Sequence, residues 1–225
     1  LLSQFPASEL ADRAHLALGY LYEKKGELTT AISYHESLLS QFPDSALADR
    51  ALFNVGYLQE RKGELPAAIE TLKSFLNEYP DSALRMDTLF TLARAQVANG
   101  DYEMGIANHQ AFQQLYPDSA LGGDNLLWLG RAYEAQEDWD RAIATFQTFL
   151  TRPEKRDIDT TDAHVGIGRL MVKKARALRE EDPSHPGIDS LEAQGRNVLL
   201  GILNDPALAV QRLQRLEAWY YANDL

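Results

Sequence analysis

Gln41-Phe42-Pro43-Asp44-Ser45-Ala46-Leu47 is written twice more in this chain with small changes. It returns as Glu78-Tyr79-Pro80-Asp81-Ser82-Ala83-Leu84 and as Leu115-Tyr116-Pro117-Asp118-Ser119-Ala120-Leu121. Pro6, Pro43, Pro80 and Pro117 stand 37 residues apart. The same offset links Ala31-Ile32, Ala68-Ile69, Gly105-Ile106 and Ala142-Ile143, and it links Gly19, Gly56, Ala93 and Gly130. It also links Gly26, Gly63, Gly100 and Glu137. So many coincident columns make the chain a tandem repeat, whose units bury their faces on their neighbours.

Each unit reads as two helices. In the best-kept copy the first is predicted over Ser45–Lys62, with Asp44 or Ser45 placed to cap its free N–H groups. Gly63 closes it, because glycine accepts the left-handed conformation found past helix ends. The second is predicted from Pro66, where a missing N–H is harmless, to just before Pro80. Leu52, Val55, Leu58, Leu65, Ile69, Leu72 and Leu76 keep helical spacing. The small columns predict close helix approach, with Gly56 facing Ala68. Leu1-Leu2-Ser3-Gln4-Phe5-Pro6 is identical to Leu38–Pro43. It therefore reads as the tail of a helix whose start lies further N-terminal.

After Pro153 the period breaks. Arg152–Thr161 reads as a charged linker. A helix is predicted over Asp162–Glu181, with Ile167, Leu170, Met171 and Leu178 on one face. Asp182–Gly187 reads as a turn. Further helices are predicted over Ile188–Asn204 and about Ala207–Asn223. The chain thus divides into an array over 1–152 and a degenerate fifth hairpin with a C-terminal helix over 153–225. Trp219, Tyr220 and Tyr221 are either core beneath a cap or a surface.

Leu129-Gly130-Arg131-Ala132-Tyr133, Ala142-Ile143-Ala144-Thr145-Phe146 and the closing prolines resemble the tetratricopeptide repeat family. Leu18-Gly19, Tyr22, Ala31 and Pro43 follow the same pattern. The resemblance implies an all-α fold, a right-handed α-solenoid of helical hairpins that holds other proteins. Ala93 and Gly105 depart from the family pattern, and Pro153 falls one residue early. The family repeat is about 34 residues, so each unit here has about three extra. They fall in the Asp-Ser-Ala-Leu segment and are expected to lengthen the first helix by a turn. The Tyr/Phe-Pro-Asp-Ser style is similar to bacterial envelope members, such as β-barrel assembly lipoproteins and the Tol–Pal-associated periplasmic protein. It implies a periplasmic or outer-membrane-associated location, with the cytoplasm as the alternative.

Composition narrows the functions. The net charge of −11 disfavours nucleic acid and anionic membrane as partners, since both call for a basic surface. The absence of cysteine removes disulfides, thiolate nucleophiles and Cys-ligated metals. No apolar run is long enough to span a bilayer, and no secretory signal pattern is visible. Gly166-Ile167-Gly168 lacks the rest of a dinucleotide fingerprint. Asp157, Asp159, Asp162 and His164 fail as a calcium loop, because Asp162 stands where glycine is needed and Gly168 where the bidentate glutamate belongs. His35 and His109 share a column with Leu72 and Phe146, and His15 shares one with Leu52, Leu89 and Leu126. All three read as packed residues. No cofactor, metal site or enzymatic activity is expected.

In the resembled family the first helix of each hairpin lines a concave groove. The groove columns here hold Leu16, Phe53, Phe90 and Leu127, then Tyr20, Tyr57, Arg94 and Arg131. A flanking column holds Ala17, Asn54, Thr91 and Trp128. Aromatics and arginine dominate interface energies. Tyr20, Phe53, Tyr57, Phe90, Arg94 and Arg131 are therefore the candidate contacts for a protein or peptide partner. For Phe53 and Phe90, packing between hairpins is the competing reading. The chaperone-tail members of the family grip a terminal carboxylate with Lys, Asn and Arg. Only Asn54 matches that set, against Leu16, Tyr20, Asp87 and Thr91. Arg169, Lys173 and Arg176 line one face, either solvated or open to an acidic partner. Self-association and a docking role within a larger enzyme are the alternatives to a scaffold.

Overall fold

The computed structural model describes residues 10–153, 157–205 and 220–221. Glycine at one place in each repeat lets the chain double back. Gly26, Gly63 and Gly100 have φ of +79°, +79° and +88°, a region that costs a side chain-bearing residue about 1–2 kcal/mol. Between these turns run α1 (Ala11–Lys24), α2 (Leu28–Gln41), α3 (Ala48–Lys62), α4 (Leu65–Glu78), α5 (Arg85–Asn99) and α6 (Tyr102–Leu115). They are followed by α7 (Gly122–Ala135), α8 (Trp139–Leu150), α9 (Asp157–Glu181) and α10 (Ile188–Asn204). Among the described residues there is no strand.

The fourth turn breaks the glycine rule. Glu137 takes its place at φ +59° and is exposed. No Cβ contact hinders the equivalent Gly63 or Gly100, so the strain at Glu137 is in the backbone alone. Glu137→Gly should stabilise the protein by about 0.5–1 kcal/mol, the left-handed penalty less the added chain entropy. Thermal melting checks it, and an unchanged or lower midpoint contradicts it.

The Asp-Ser-Ala-Leu segment does not lengthen the following helix, contrary to the sequence expectation. It forms a turn, and α3 begins only at Ala48. Neither Asp44 nor Ser45 caps it, since Leu47 holds the cap position and makes no side-chain bond. Serine closes the turn instead. Ser45, Ser82 and Ser119 Oγ each accept the N–H of the leucine two residues on, at 3.1 Å. Ser45 also donates to Asp12 Oδ2 at 2.5 Å, and Ser82 donates to Asp49 Oδ2 at 2.7 Å. The extra residues thus build a strap that ties one hairpin to the hairpin before it. The Ser45 hydroxyl holds the Asp12 carboxyl below the usual aspartate range.

The chain forms two compact units, residues 1–116 and 117–225. In the first, α1 to α6 pack in chain order, each on the next, and α3 also touches α5. In the second, α7 to α10 do the same, and α7 touches α9. The packing rule is a small residue against a large one 16 positions later. A Cβ on Gly19 would fall 2.3 Å from the His35 ring. On Gly56 it would fall 2.8 Å from Leu72, and on Gly130 2.6 Å from Phe146. Gly56 thus faces Leu72, and in the next repeat a Cβ on Gly105, in the column of Ala68, would fall 3.1 Å from the backbone oxygen of Ala93, in the column of Gly56. His35 and His109 stand in the large column of this rule and are fully enclosed, while His15, in another column, is buried at 7% exposure.

Beyond Pro153 helix begins earlier than expected. Asp157 to Thr161 already belong to α9, so a linker over Arg152–Thr161 is overturned for those five residues. Val165, Val172, Leu199 and Ile202 form the core of the α9–α10 hairpin, and Tyr221 packs against it. Tyr220 is 52% exposed. The helix tail at Leu1–Pro6, Trp219 and most of the helix expected over 207–223 lie outside the described residues.

Candidate partner-binding faces

In the first unit the candidates sit on α1, α3 and α5. Tyr20 projects from α1, meets the His35 ring edge-on at 5.6 Å, and accepts a 3.1 Å hydrogen bond from Asn54 Nδ2 on α3. That bond fixes the phenol of one repeat to the next. Phe53 and Tyr57 are one turn apart on α3 and stack, with ring centres 6.0 Å apart and planes 15° from parallel. Arg61 follows one turn later, its guanidinium 5.5 Å from the Tyr57 ring centre. It also bonds Glu23 of α1 at 2.5 Å. Phe53, Tyr57 and Arg61 thus form a ladder at every fourth residue along one face of α3.

The other two first-unit candidates are committed inward. Phe90 is 7% exposed and packs against His109 and Phe112. Its competing reading as a packing residue is the one its burial supports. Arg94 closes a two-pronged pair with Glu60, Nε to Oε1 at 3.0 Å and Nη2 to Oε2 at 2.8 Å. Glu60 is only 13% exposed, so this fork joins α3 to α5. Neither Arg61 nor Glu60 is among the contacts expected from sequence. The spacing of Arg61 four residues after Tyr57 is the signal that could have found it.

Arg131 belongs to the second unit, on α7. Its guanidinium lies 5.5 Å from the Trp128 ring centre and 3.7 Å from Asp162 Oδ2. The side chain is 47% exposed. An open cavity of about 200 Å³ lies beside it, lined by Leu127, Arg131, Phe146, Asp162, Val165, Gly166 and Arg169. Arg169 and Lys173 on α9 both turn to Glu134 of α7, at 2.5 and 3.1 Å. These two members of the basic face are therefore tied within the unit. His164 Nδ1 donates to Thr160 O at 2.8 Å. No grouping of His, Cys, Asp or Glu suited to a metal occurs among the described residues. No helix among them is long and apolar enough to cross a membrane.

Comparison with known proteins agrees with the repeat register. Residues 50–82 and 124–154 match one tetratricopeptide repeat model, and residues 14–41 match a second. No curated protein matches the chain in sequence. Among solved structures, MamA from Desulfovibrio magneticus RS-1 is 14% identical with a TM-score of 0.63, over 83% of this chain and 94% of its own. Another MamA structure is 19% identical at a TM-score of 0.61, over 84% and 94%. A tetratricopeptide repeat protein from Parabacteroides merdae is 16% identical at 0.60, over 93% and 90%. Identities this low speak to the fold alone: an all-α solenoid of helical hairpins.

Proposed function

The chain carries tetratricopeptide repeats, and we propose that it uses them as a non-catalytic scaffold that binds a segment of another protein on its first helices. Proteins of this kind mediate protein–protein interaction. The observation that carries the reading is the Phe53–Tyr57–Arg61 ladder. Two half-buried rings are stacked, already ordered and topped by a cation. Rigid aromatic area binds at low entropic cost, and a preorganised anchor loses little on association. Tyr20, fixed by Asn54, extends the same surface onto α1. Arg131 is the corresponding contact of the second unit. Phe90 and Arg94 support these surfaces from behind.

The recurring Tyr/Phe-Pro-Asp-Ser segments favour a place in a bacterial envelope complex. Fractionation of the source cells tests that location, and recovery of the protein only with cytosolic markers would overturn it.

Photo-crosslinking from position 61, followed by mass spectrometry, identifies the partner. Tyr57→Ala should then weaken binding about 30-fold, as loss of a true anchor does. Glu70→Ala, at an exposed position of α4, should change it less than about twofold. Equal binding by the parent and the Tyr57 variant would exclude this face.

A further inference from the structure

We propose that a second cavity of the second unit, beside the start of α7 and the end of α8, is a socket for an aromatic side chain carried by a partner segment. The inference goes beyond the α3 ladder and rests on the scaffold reading. The cavity measures about 530 Å³, and Pro117, Gly123, Arg152 and Pro153 are among the residues that line it. Pro117 and Pro153 are exposed and Gly123 is half-buried, so it opens to solvent.

The chain's own repeats name the occupant. Phe42, Tyr79 and Tyr116 stand 37 residues apart at the ends of α2, α4 and α6, and Pro153 takes their column in the fourth repeat. Each of those rings packs on another: Phe42 on His15 at 6.0 Å, Tyr79 on Phe75 at 5.6 Å and Tyr116 on Phe112 at 5.4 Å. Phe149 continues the column of Phe75 and Phe112, but the residue four places on is proline. A neighbouring column changes as well, for Asp12, Asp49 and Met86 give way to Gly123. Burial, and then the charges of Glu78 and Asp49, raise the Tyr79 hydroxyl above its usual pKa, so that ring lies near Asp49. Two periods on, the same two positions hold Pro153 and Gly123, and both line the cavity. A Cβ at Gly123 would meet no atom of another element closer than the Phe149 ring at 3.4 Å. The room left by a missing ring is thus still open.

Arg152 favours a ring over other apolar groups. Its guanidinium lies across Gly122, where a Cβ would fall 2.8, 3.0 and 3.1 Å from three of its atoms. Among the described residues it makes one hydrogen bond, from Nη2 to Ser119 O at 3.4 Å, and no ion pair. A cation held in this way is attracted to the face of an aromatic ring. Asp118 also lines the cavity, and its charge offsets that of Arg152. The lining therefore suits a neutral, polarisable group and not an anion.

The test titrates the whole chain with N-acetyl-phenylalanine N-methylamide and follows it by NMR. The Arg152 Nε–Hε signal should move upfield, the mark of a proton over a ring face, and the Gly123 amide should shift with it. Both should saturate, with affinity on the order of millimolar for so small a ligand. The cyclohexylalanine counterpart keeps the size but has no π face, and should bind about threefold more weakly. Arg152→Gln should remove that difference between the two ligands, which a purely structural part for Arg152 would not do. Gly123→Met supplies the side chain found one repeat earlier at Met86 and should abolish the shifts. The glutamate counterpart should not bind.

Equal affinity for the two ring-sized ligands in the parent would overturn the socket, as would undiminished binding by the Gly123→Met variant. Tighter binding of the glutamate counterpart would overturn it in favour of an anion site. The same shifts on concentrating the protein alone would overturn it in favour of a second copy. These failures leave the scaffold reading standing, since it is tested by crosslinking at position 61 in the other unit.

Discussion

Gly130→Val should lower the stability of the protein by about 3 kcal/mol, the upper range for overpacking a tight core. The reason is the enclosure of Phe146. A Cβ at position 130 would lie 2.6, 2.8 and 2.9 Å from three atoms of that ring. On its other side, a Cβ at Gly166 would lie 3.0, 3.3 and 3.5 Å from the same ring. The ring is held between two glycines of neighbouring helices and is 3% exposed, so it has nowhere to retreat. Urea denaturation followed by circular dichroism measures the loss. Gly123→Ala on the same helix is the control. Its Cβ would meet Phe149 at an ordinary 3.4 Å, and a helical Gly-to-Ala change gains up to about 1 kcal/mol. The chain also contains its own rescue, for Ala93 occupies this column with His109 in the place of Phe146. Gly130→Ala should therefore be destabilising alone and largely restored by Phe146→His. If Gly130→Val melts like the parent, the register of small against large residues is wrong.

The period of 37 residues, the helix pairs and the turn glycines were legible because each recurs along the sequence. Columns need no knowledge of distant contacts. The Asp-Ser-Ala-Leu strap was not legible, since Ser45 finds its partner Asp12 in the previous repeat. A local reading sees only a good cap there. The large partner of each small residue was not legible for a related reason. Small residues at 56 and 68 suggest a close approach of the helices, and the helix rotation that sets Leu72 beside Gly56 is seen only in the structure. Among the candidate contacts, the sequence names residue types but not what they touch. Phe90 and Phe53 share a column in the sequence, yet one is enclosed and the other half-buried. Arg94 and Arg131 share a column, yet only Arg94 has a fork-to-fork carboxylate. The difference lies at Glu60, in the preceding repeat.

Acidification from pH 6.5 to 4 should destabilise the protein by about 3 kcal/mol through His35 alone, since each pH unit between its folded and unfolded pKa is worth about 1.4 kcal/mol. The His35 ring is fully enclosed, and neither ring nitrogen has a hydrogen-bond partner. The groups facing it from α1 are Gly19 and Tyr20, and that phenol is engaged by Asn54 of α3. Burial is the cause that pushes its pKa down, to about 4. Unfolded, the same histidine titrates at about 6.5. Below that pH the unfolded chain takes up a proton that the folded chain refuses. Stability is therefore present above about pH 6.5 and lost as the pH falls towards about 4. His15, in the same hairpin, is shifted down by burial as well and adds to the effect. Asp12 contributes only at lower pH, since its carboxyl is held below the usual aspartate range. Asp87 acts in the opposite sense, because burial raises it and protonation favours the folded form. His35→Leu isolates the main contribution, and the chain already shows that leucine fits this column, at Leu72 against Gly56. Melting temperatures of parent and variant should diverge as the pH falls from about 7.5 to about 4.5, with the variant higher at the acid end. Parallel curves for the two proteins would mean that His35 is charged or solvated in the folded state, and the enclosed first hairpin would then have to be redrawn.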